Sequence, residues 1–473
     1  MIVHKFGGTS VGSAHCFANV ADILLENRNG TDGASVAETV VVVSAMSGVT
    51  NKLIAGARAA AEGQDLLFRE IKAWLLNRHH EVIDSLLTQS PERLQVGGLI
   101  EDKVHELELL YRSIAVLGEL TARVCDAVSS FGEQFSSHIL AAALRERGAR
   151  ARAISATELI ITDDNFGVAM PLVKQTHQRL QQRIKPLLER EIIPVITGYI
   201  AATEEGVSTT LGRGGSDYTA AIIGAGLDAD QVWIWSDVDG ILTADPNIVS
   251  QARTITELSY TEASDLAYFG ADVLHPKTIR PVIEKGIPLR IANSFNPSHP
   301  GTRIVENPCP DRELLPAIIS TTDLSLIAIG STDDSWALQM AARALQHLST
   351  ASIDVLMFSQ SFSEHSLNLV VRQQDQAHSL HLLNNQFSGD SPPAVNPFNL
   401  GIKEKVATIS VVGVSGWNGN AIVSYTLAAL GKHGTRVIAI AQAATEHSVS
   451  FCIPEDQAAD TVRFLHKELG LED

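Results

Sequence analysis

Six short runs rich in Val and Ile punctuate the first 295 residues: Ile2 to Phe6, Thr39 to Val43, Ala151 to Ile154, Ile192 to Thr197, Gln231 to Trp235 and Pro288 to Ile291. Amphipathic helical stretches separate them. Strands with so few polar positions must be buried on both faces, which a mainly parallel sheet with helices above and below provides. The expected architecture is therefore an α/β three-layer αβα sandwich. The mostly helical stretch from Asn51 to Leu117 interrupts the alternation, as a lid or as an added helical layer.

With 473 residues the chain exceeds one compact core and calls for about two to four domains. A Pro-rich junction, Asn296-Pro297-Ser298-His299-Pro300-Gly301 followed by Pro308-Cys309-Pro310, marks a boundary. Beyond it the sequence repeats itself. Gln360-Ser361-Phe362-Ser363-Glu364-His365-Ser366 returns as Gln442-Ala443-Ala444-Thr445-Glu446-His447-Ser448, 82 residues on (360 to 442), and Ala328-Ile329-Gly330 returns as Val411-Val412-Gly413, 83 on (330 to 413). Each copy reads strand, helix, strand, hairpin, strand, helix, with the first helix over 335–347 in one and 420–432 in the other. A near-constant offset signals internal duplication. The domains expected are 1–300, 311–395 and 402–473, with the Pro/Asn/Ser-rich stretch 388–401 as linker.

A formal net charge of −18 argues against a nucleic-acid or anionic-membrane partner. The one basic run, Arg145 to Arg152, reads as a helix end closed by Gly148. Four scattered cysteines at 16, 125, 309 and 452 form no C-x-x-C and suit a reducing, cytoplasmic setting. No apolar run reaches membrane-spanning length, and Lys5 sits in a short strand where a signal peptide would be apolar.

Four segments carry candidate chemistry. The first strand runs into Lys5-Phe6-Gly7-Gly8-Thr9-Ser10, a cation beside glycine N–H groups that can approach a phosphate. The second, Val43 to Asn51, delivers Ser44 and Thr50 into a Gly turn. The third is Phe131-Gly132-Glu133, an acid at a Gly break beside a helix. The fourth is Ser208 to Asp217, where Thr210-Leu211-Gly212-Arg213-Gly214-Gly215-Ser216-Asp217 opens a helix over 218–226, with Ser216 as its N-cap. Arg213 offers a planar fork for a carboxylate. A fifth segment, Trp235-Ser236-Asp237-Val238-Asp239-Gly240-Ile241-Leu242, ends a buried strand in two acids, at the end where open α/β sheets bind ligands. Turn chemistry accounts equally for Asp237 and Asp239. Neither a P-loop nor a dinucleotide fingerprint is present. His79-His80, and His378 with His381, show no metal-ligand pattern and read as surface helix positions, so no resident metal is expected.

In this order the five segments resemble those of the aspartokinases in the amino acid kinase family, and the duplication resembles the tandem ACT modules, small ferredoxin-like units, of that family. The resemblance implies transfer of the γ-phosphate of ATP, bound with Mg²⁺ as a substrate complex, to the side-chain carboxylate of L-aspartate, the first step toward lysine, threonine and methionine. It implies that Lys5, oriented by Asp217, neutralises phosphoryl oxygens, with Gly7, Gly8, Ser10, Gly214 and Gly215 around the phosphates. Arg213 would grip the α-carboxylate and Glu133 the ammonium group, with Ser44, Thr50, Thr210 and Ser216 lining the pocket. Ser236 and Asp237 would contact the nucleotide. Leu242, Asn247 and Asp272 stand where many members carry Tyr, Arg and Lys facing ATP, so weak ATP affinity is expected; Lys277 could replace part of the charge.

The same resemblance implies an amino-acid effector at Gln360 and Gln442, threonine ahead of lysine, and a homodimer or higher homo-oligomer. Duplication alone would also place a polar turn at both positions. Two other readings stay open: a weakly active or non-catalytic amino-acid sensor, and a kinase of the same fold acting on acetylglutamate, glutamate or a nucleotide.

Overall fold

A computed structural model describes residues 1–29, 38–88, 90–268, 276–331, 337–351, 353–361, 365–388, 398–413, 419–442 and 448–472. By its contacts the chain divides into two compact units. One holds Met1–Ile241, Thr256–Tyr260 and Asp272–Pro310, the other Leu242–Ile255, Thr261–Ala271 and Asp311–Asp473.

The first unit contains strands β1 (Ile2–Phe6), β2 (Thr39–Val43), β3 (Ala151–Ile154), β4 (Ile193–Thr197), β5 (Ile200–Ala202), β6 (Ser208–Thr210), β7 (Gln231–Ser236), β8 (Glu257–Ser259), β9 (Leu289–Asn293) and β10 (Thr302–Val305). Eight of them form one sheet in the order β3-β4-β2-β1-β7-β9-β10-β8, while β5 and β6 make a separate hairpin. Every neighbouring pair in the sheet is parallel except β9 with β10. The mainly parallel, doubly covered sheet anticipated from the Val/Ile runs is thus present.

Strand β1 lies at the centre. Phe6 stands opposite Val43 of β2 and Trp235 of β7, so three strands end together and release their following residues at one sheet edge. The helices Val49–Ala61, Asp65–Leu86 and Ser90–Leu117 are an added layer and not a lid. Leu53, Phe68, Leu75 and Tyr111 share one buried cluster with Phe6, Val41, Val43 and Trp235 of the sheet. Removing this much apolar area from water makes the layer part of the core.

The basic run behaves as expected. The helix Phe131–Glu146 ends at Gly148 (φ 85°), whose N–H donates to the Arg145 carbonyl while Ala149 N–H donates to Leu144. His79 contradicts expectation. It is buried, its Nδ1 lies 2.6 Å from the Leu75 carbonyl, and its ring meets Phe135 edge-on at 4.6 Å. Burial lowers its pKa to about 4, keeping it neutral as a core residue. His80, His378 and His381 are half-buried or exposed, as expected.

The second unit contains β11 (Ala317–Ser331), β12 (Val355–Ser361), β13 (Ser366–Arg372), β14 (Phe398–Val412), β15 (Ala439–Gln442) and β16 (Ser448–Pro454). They form one antiparallel sheet ordered β12-β13-β11-β14-β16-β15. The two repeats meet along β11 and β14, and the helices Ala337–Thr350 and Gly419–His433 occupy equivalent places in them. The sheet is rolled. Leu356 and Met357 of one edge strand meet Ile438, Ala439 and Ala441 at the other edge in a shared apolar cluster.

Candidate active site

The end of β1 is stitched to the end of β2 before any ligand is considered. Ser44 N–H donates to the Phe6 carbonyl at 3.1 Å, and Ser47 N–H to Gly8 at 3.1 Å. A Cβ on Gly8 would lie 2.9 Å from the Ala45 carbonyl, so glycine is required there by the approach of the second segment. Gly7 N–H points at the Trp235 carbonyl, 3.4 Å away. Ser10 is buried, its hydroxyl 2.8 Å from that of Ser294, and Ser294 N–H donates to Ser236 at the end of β7.

Lys5 Nζ lies 2.5 Å from Asp217 Oδ1, with the side chains 11% and 15% exposed. Asp217 belongs to the first turn of the helix Gly215–Gly226. That helix starts three residues earlier than expected. Gly214, in the left-handed region (φ 69°), occupies the N-cap position without a side-chain bond, so Ser216 is not the N-cap. A positive φ there suits glycine and lets the helix begin directly behind the loop.

One cavity of about 590 Å³ gathers Lys5, Ser44, Thr50, Glu133, Arg213, Gly214, Gly215, Ser216 and Asp217. Residues from segments hundreds of positions apart thus face a common space. Ala45, Asn51 and Gly212, which lie in the segments singled out above, line it too, and so do Ile54, Gly167, Val168 and Tyr199, which sequence reading missed. Tyr199 had a usable signal, since it follows Thr197-Gly198 at the end of β4, on the same sheet edge. Its backbone is left-handed (φ 67°), and its N–H donates to Thr219 Oγ1 at 3.0 Å.

Glu133 does not sit at a Gly break. Gly132 is helical, and a Cβ there would lie 2.6 Å from Ala45 Cβ; glycine lets this helix press against the β2 end. Glu133 is 3% exposed, and its Oε1 accepts the Ala45 N–H at 3.2 Å. Its Oε2 is buried with no hydrogen-bond partner among the described residues. Burial raises its pKa to about 8, against the opposing backbone bonds.

Thr210 stands behind the cavity wall. It is fully buried, and its Oγ1 donates to Asp126 Oδ1 at 2.7 Å. Ser236 and Asp237 also lie outside the lining, with Ser236 Oγ donating to Asp237 Oδ1 at 3.2 Å. Asp239 accepts from Asn293 Nδ2 at 2.9 Å and Asn296 Nδ2 at 3.1 Å, so it braces its turn. Leu242 and Asn247 belong to the second unit, where Asn247 N–H closes a turn onto Asp245 Oδ1 at 2.8 Å. Asp272, the Lys277 side chain and most of the repeated Ser/Glu hairpins lie outside the described residues. In the second unit, Gln360 Nε2 is buried with no hydrogen-bond partner among the described residues, and Gln442 ends an edge strand, exposed.

The amino acid kinase family model matches residues 1–293, and an ACT domain model matches 337–387 and 409–469. Aspartokinase 1 (chloroplastic) of Arabidopsis thaliana is 32% identical over 470 residues, covering 98% of this chain and 79% of that protein. The bifunctional aspartokinase/homoserine dehydrogenase of Buchnera aphidicola is 30% identical over 470 residues, covering 98% of this chain and 56% of its own. The chain spans about half the length of such bifunctional relatives. Among solved structures, E. coli aspartokinase III in complex with aspartate and ADP (R-state) superposes with a TM-score of 0.82 at 27% identity, covering 99% of this chain and 100% of that one. Its complex with lysine and aspartate (T-state) gives a TM-score of 0.79. No helix among the described residues is long and apolar enough to cross a membrane.

Proposed function

The chain belongs to the amino acid kinase family, and on that footing we propose that it phosphorylates the side-chain carboxylate of L-aspartate with ATP. The observation that carries this reading is the single cavity joining the Lys5–Asp217 ion pair to a buried acid, Glu133, and to Arg213. One end suits phosphoryl oxygens. The other suits an amino acid, with Arg213 for its α-carboxylate and Glu133 for its ammonium group.

The nucleophile is already a carboxylate at neutral pH, so no general base is required. An aspartate carboxylate oxygen attacks the γ-phosphorus and forms the new O–P bond. The bond from that phosphorus to the β–γ bridging oxygen breaks, and ADP departs with the electron pair. Two anions must approach each other, so positioning and charge neutralisation supply the catalysis. Lys5 provides the fixed positive charge, and Asp217 holds it at the cavity wall. Magnesium enters with the nucleotide as part of the substrate complex.

Regulation follows from the second unit. We assign 311–395 and 402–473 as paired effector-binding modules, with an amino acid held at Gln360 and Gln442. The unpartnered Gln360 amide supports a polar ligand there. Threonine is the effector favoured and lysine the competitor. Binding that favours one of two domain arrangements would give feedback inhibition, and the edge strands make a homodimer or higher oligomer the working form. A cytoplasmic location is supported by four cysteines scattered at 16, 125, 309 and 452 with no C-x-x-C spacing.

The test is aspartate-dependent ADP release by the full chain, with hydroxamate trapping and with threonine and lysine titrated in. Turnover with acetylglutamate or glutamate but not aspartate would establish the other-kinase reading. Threonine binding without ADP release would establish the sensor reading, which the Leu242, Asn247 and Asp272 substitutions motivate.

A further inference from the structure

Asp126 occupies the short helix Ala122–Ser129 and is 3% exposed, yet no motif drew attention to it. Its carboxylate is fully engaged. Oδ2 accepts the N–H of Gly167 at 2.8 Å and of Thr210 at 3.0 Å, while Oδ1 accepts the Thr210 hydroxyl at 2.7 Å. Those two partners belong to two neighbouring segments of the cavity lining. Gly167 and Val168 line the cavity directly, and Thr210 precedes the Gly212-Arg213-Gly214 loop that lines it beside them, with Gly212 so close that a Cβ there would lie 3.2 Å from Val168 Cγ1. The segments also touch each other, since Ala169 N–H donates to the Thr210 carbonyl at 2.9 Å.

Buried N–H groups and hydroxyls need partners. Here one carboxylate, reaching across 84 residues in sequence to Thr210 and 41 to Gly167, satisfies three at once. Charge-assisted bonds are shorter and stronger than neutral ones, so the anchor is stiff. Without it the Gly167 turn and the β6 end would keep the Ala169–Thr210 backbone bond but lose their side-chain anchor, and Arg213, three residues past Thr210, would be held less firmly.

We propose that Asp126 is a positioning residue for the amino-acid substrate, setting the distance between the Gly167–Val168 turn and the Arg213 loop. It does not touch the reacting atoms. The proposal rests on the aspartate-phosphorylating reading above and names the residue that builds the substrate end of that site.

The experiment compares the full chain with Asp126→Ala, Asp126→Asn and Thr210→Val in steady-state kinetics, and follows backbone hydrogen exchange at Gly167 and Thr210. Asp126→Ala is expected to raise KM for aspartate roughly tenfold, the scale of one lost charge-assisted bond. KM for ATP should stay within about twofold and kcat within about threefold, because Lys5 and Asp217 are held by β1 and by the helix Gly215–Gly226. Asn can keep its oxygen on the two N–H groups and offer its amide to the Thr210 oxygen, so Asp126→Asn should restore aspartate KM to within about threefold. An unchanged aspartate KM in the Ala variant, equal rises for both substrates, or no rescue by Asn would overturn the proposal. Should Asp126→Ala fail to fold, Thr210→Val decides: about a threefold rise in aspartate KM supports it, and no rise overturns it. A wild type without aspartate-dependent turnover refutes the proposed function instead. The anchor is then judged by exchange alone, where faster exchange at Gly167 and Thr210 in the Ala variant supports it and unchanged exchange overturns it.

Discussion

Replacing Glu133 by Gln tests the electrostatics of the substrate end. The Glu133 carboxyl is 3% exposed, and burial raises its pKa from the ordinary value of 4.5 to about 8. The carboxyl is therefore largely protonated at pH 7. A folded pKa above the unfolded one means that the folded state binds the proton more tightly. The associated stability is complete below 4.5 and is lost as pH rises through about 8. Each unit is worth 1.36 kcal/mol, so the whole span amounts to at most about 5 kcal/mol. Gln does not titrate. The unfolding free energy of the wild type minus that of Glu133→Gln should accordingly fall by roughly 1.4 kcal/mol per pH unit between pH 5 and 7.5, then level off above about 8. Urea unfolding of both full-length proteins at matched pH, followed by tryptophan fluorescence, measures the difference. Binding gives a second readout of opposite sign. An ammonium group needs the ionised acid, so wild-type KM for aspartate should fall from pH 6.5 to 8.5, while the Gln variant shows a raised KM without that slope. A stability difference that stays constant across pH would refute the reasoning.

Three further outcomes are expected. Lys5→Met should lower kcat at least about a hundredfold with a smaller effect on aspartate KM, because the proposed function has Lys5 act on charge in the transferring phosphoryl group; steady-state kinetics decide, and a loss under tenfold counts against its role. Gly132→Ala places a Cβ 2.6 Å from Ala45 Cβ and 3.2 Å from Val49 Cγ1, an overpacking that should cost about 1–3 kcal/mol by thermal unfolding, partly recovered by Ala45→Gly. Arg312 pairs with both oxygens of Glu262 at 2.7 and 2.8 Å, with side chains 7% and 2% exposed. Arg312→Met should therefore destabilise the second unit by about 3–5 kcal/mol in urea, and adding Glu262→Leu should return most of it, since the penalty is a stranded charge.

The repeated strands, the order of the five segments and the duplication at 82 to 83 residues were all legible in the chain. The strands and motifs depend on neighbours close in sequence, where strand and helix periods express themselves over short windows, and the duplication shows as a repeated string at a fixed offset. Lone polar side chains were not legible in this way. Nothing local marks His79 as a core residue, since Phe135, which meets its ring, comes from another helix. Ser216 has the chemistry of an N-cap, yet the left-handed Gly214 starts the helix first. Thr210 has a hydroxyl suited to a pocket, yet Asp126 claims it from 84 residues away. The sequence alone determined which strands build the sheet, which segments converge at its edge and that the C-terminal part is doubled. The tertiary structure decided where each buried hydroxyl, imidazole and carboxyl points, because a polar group leaving water takes whichever partner the packing brings within hydrogen-bond reach.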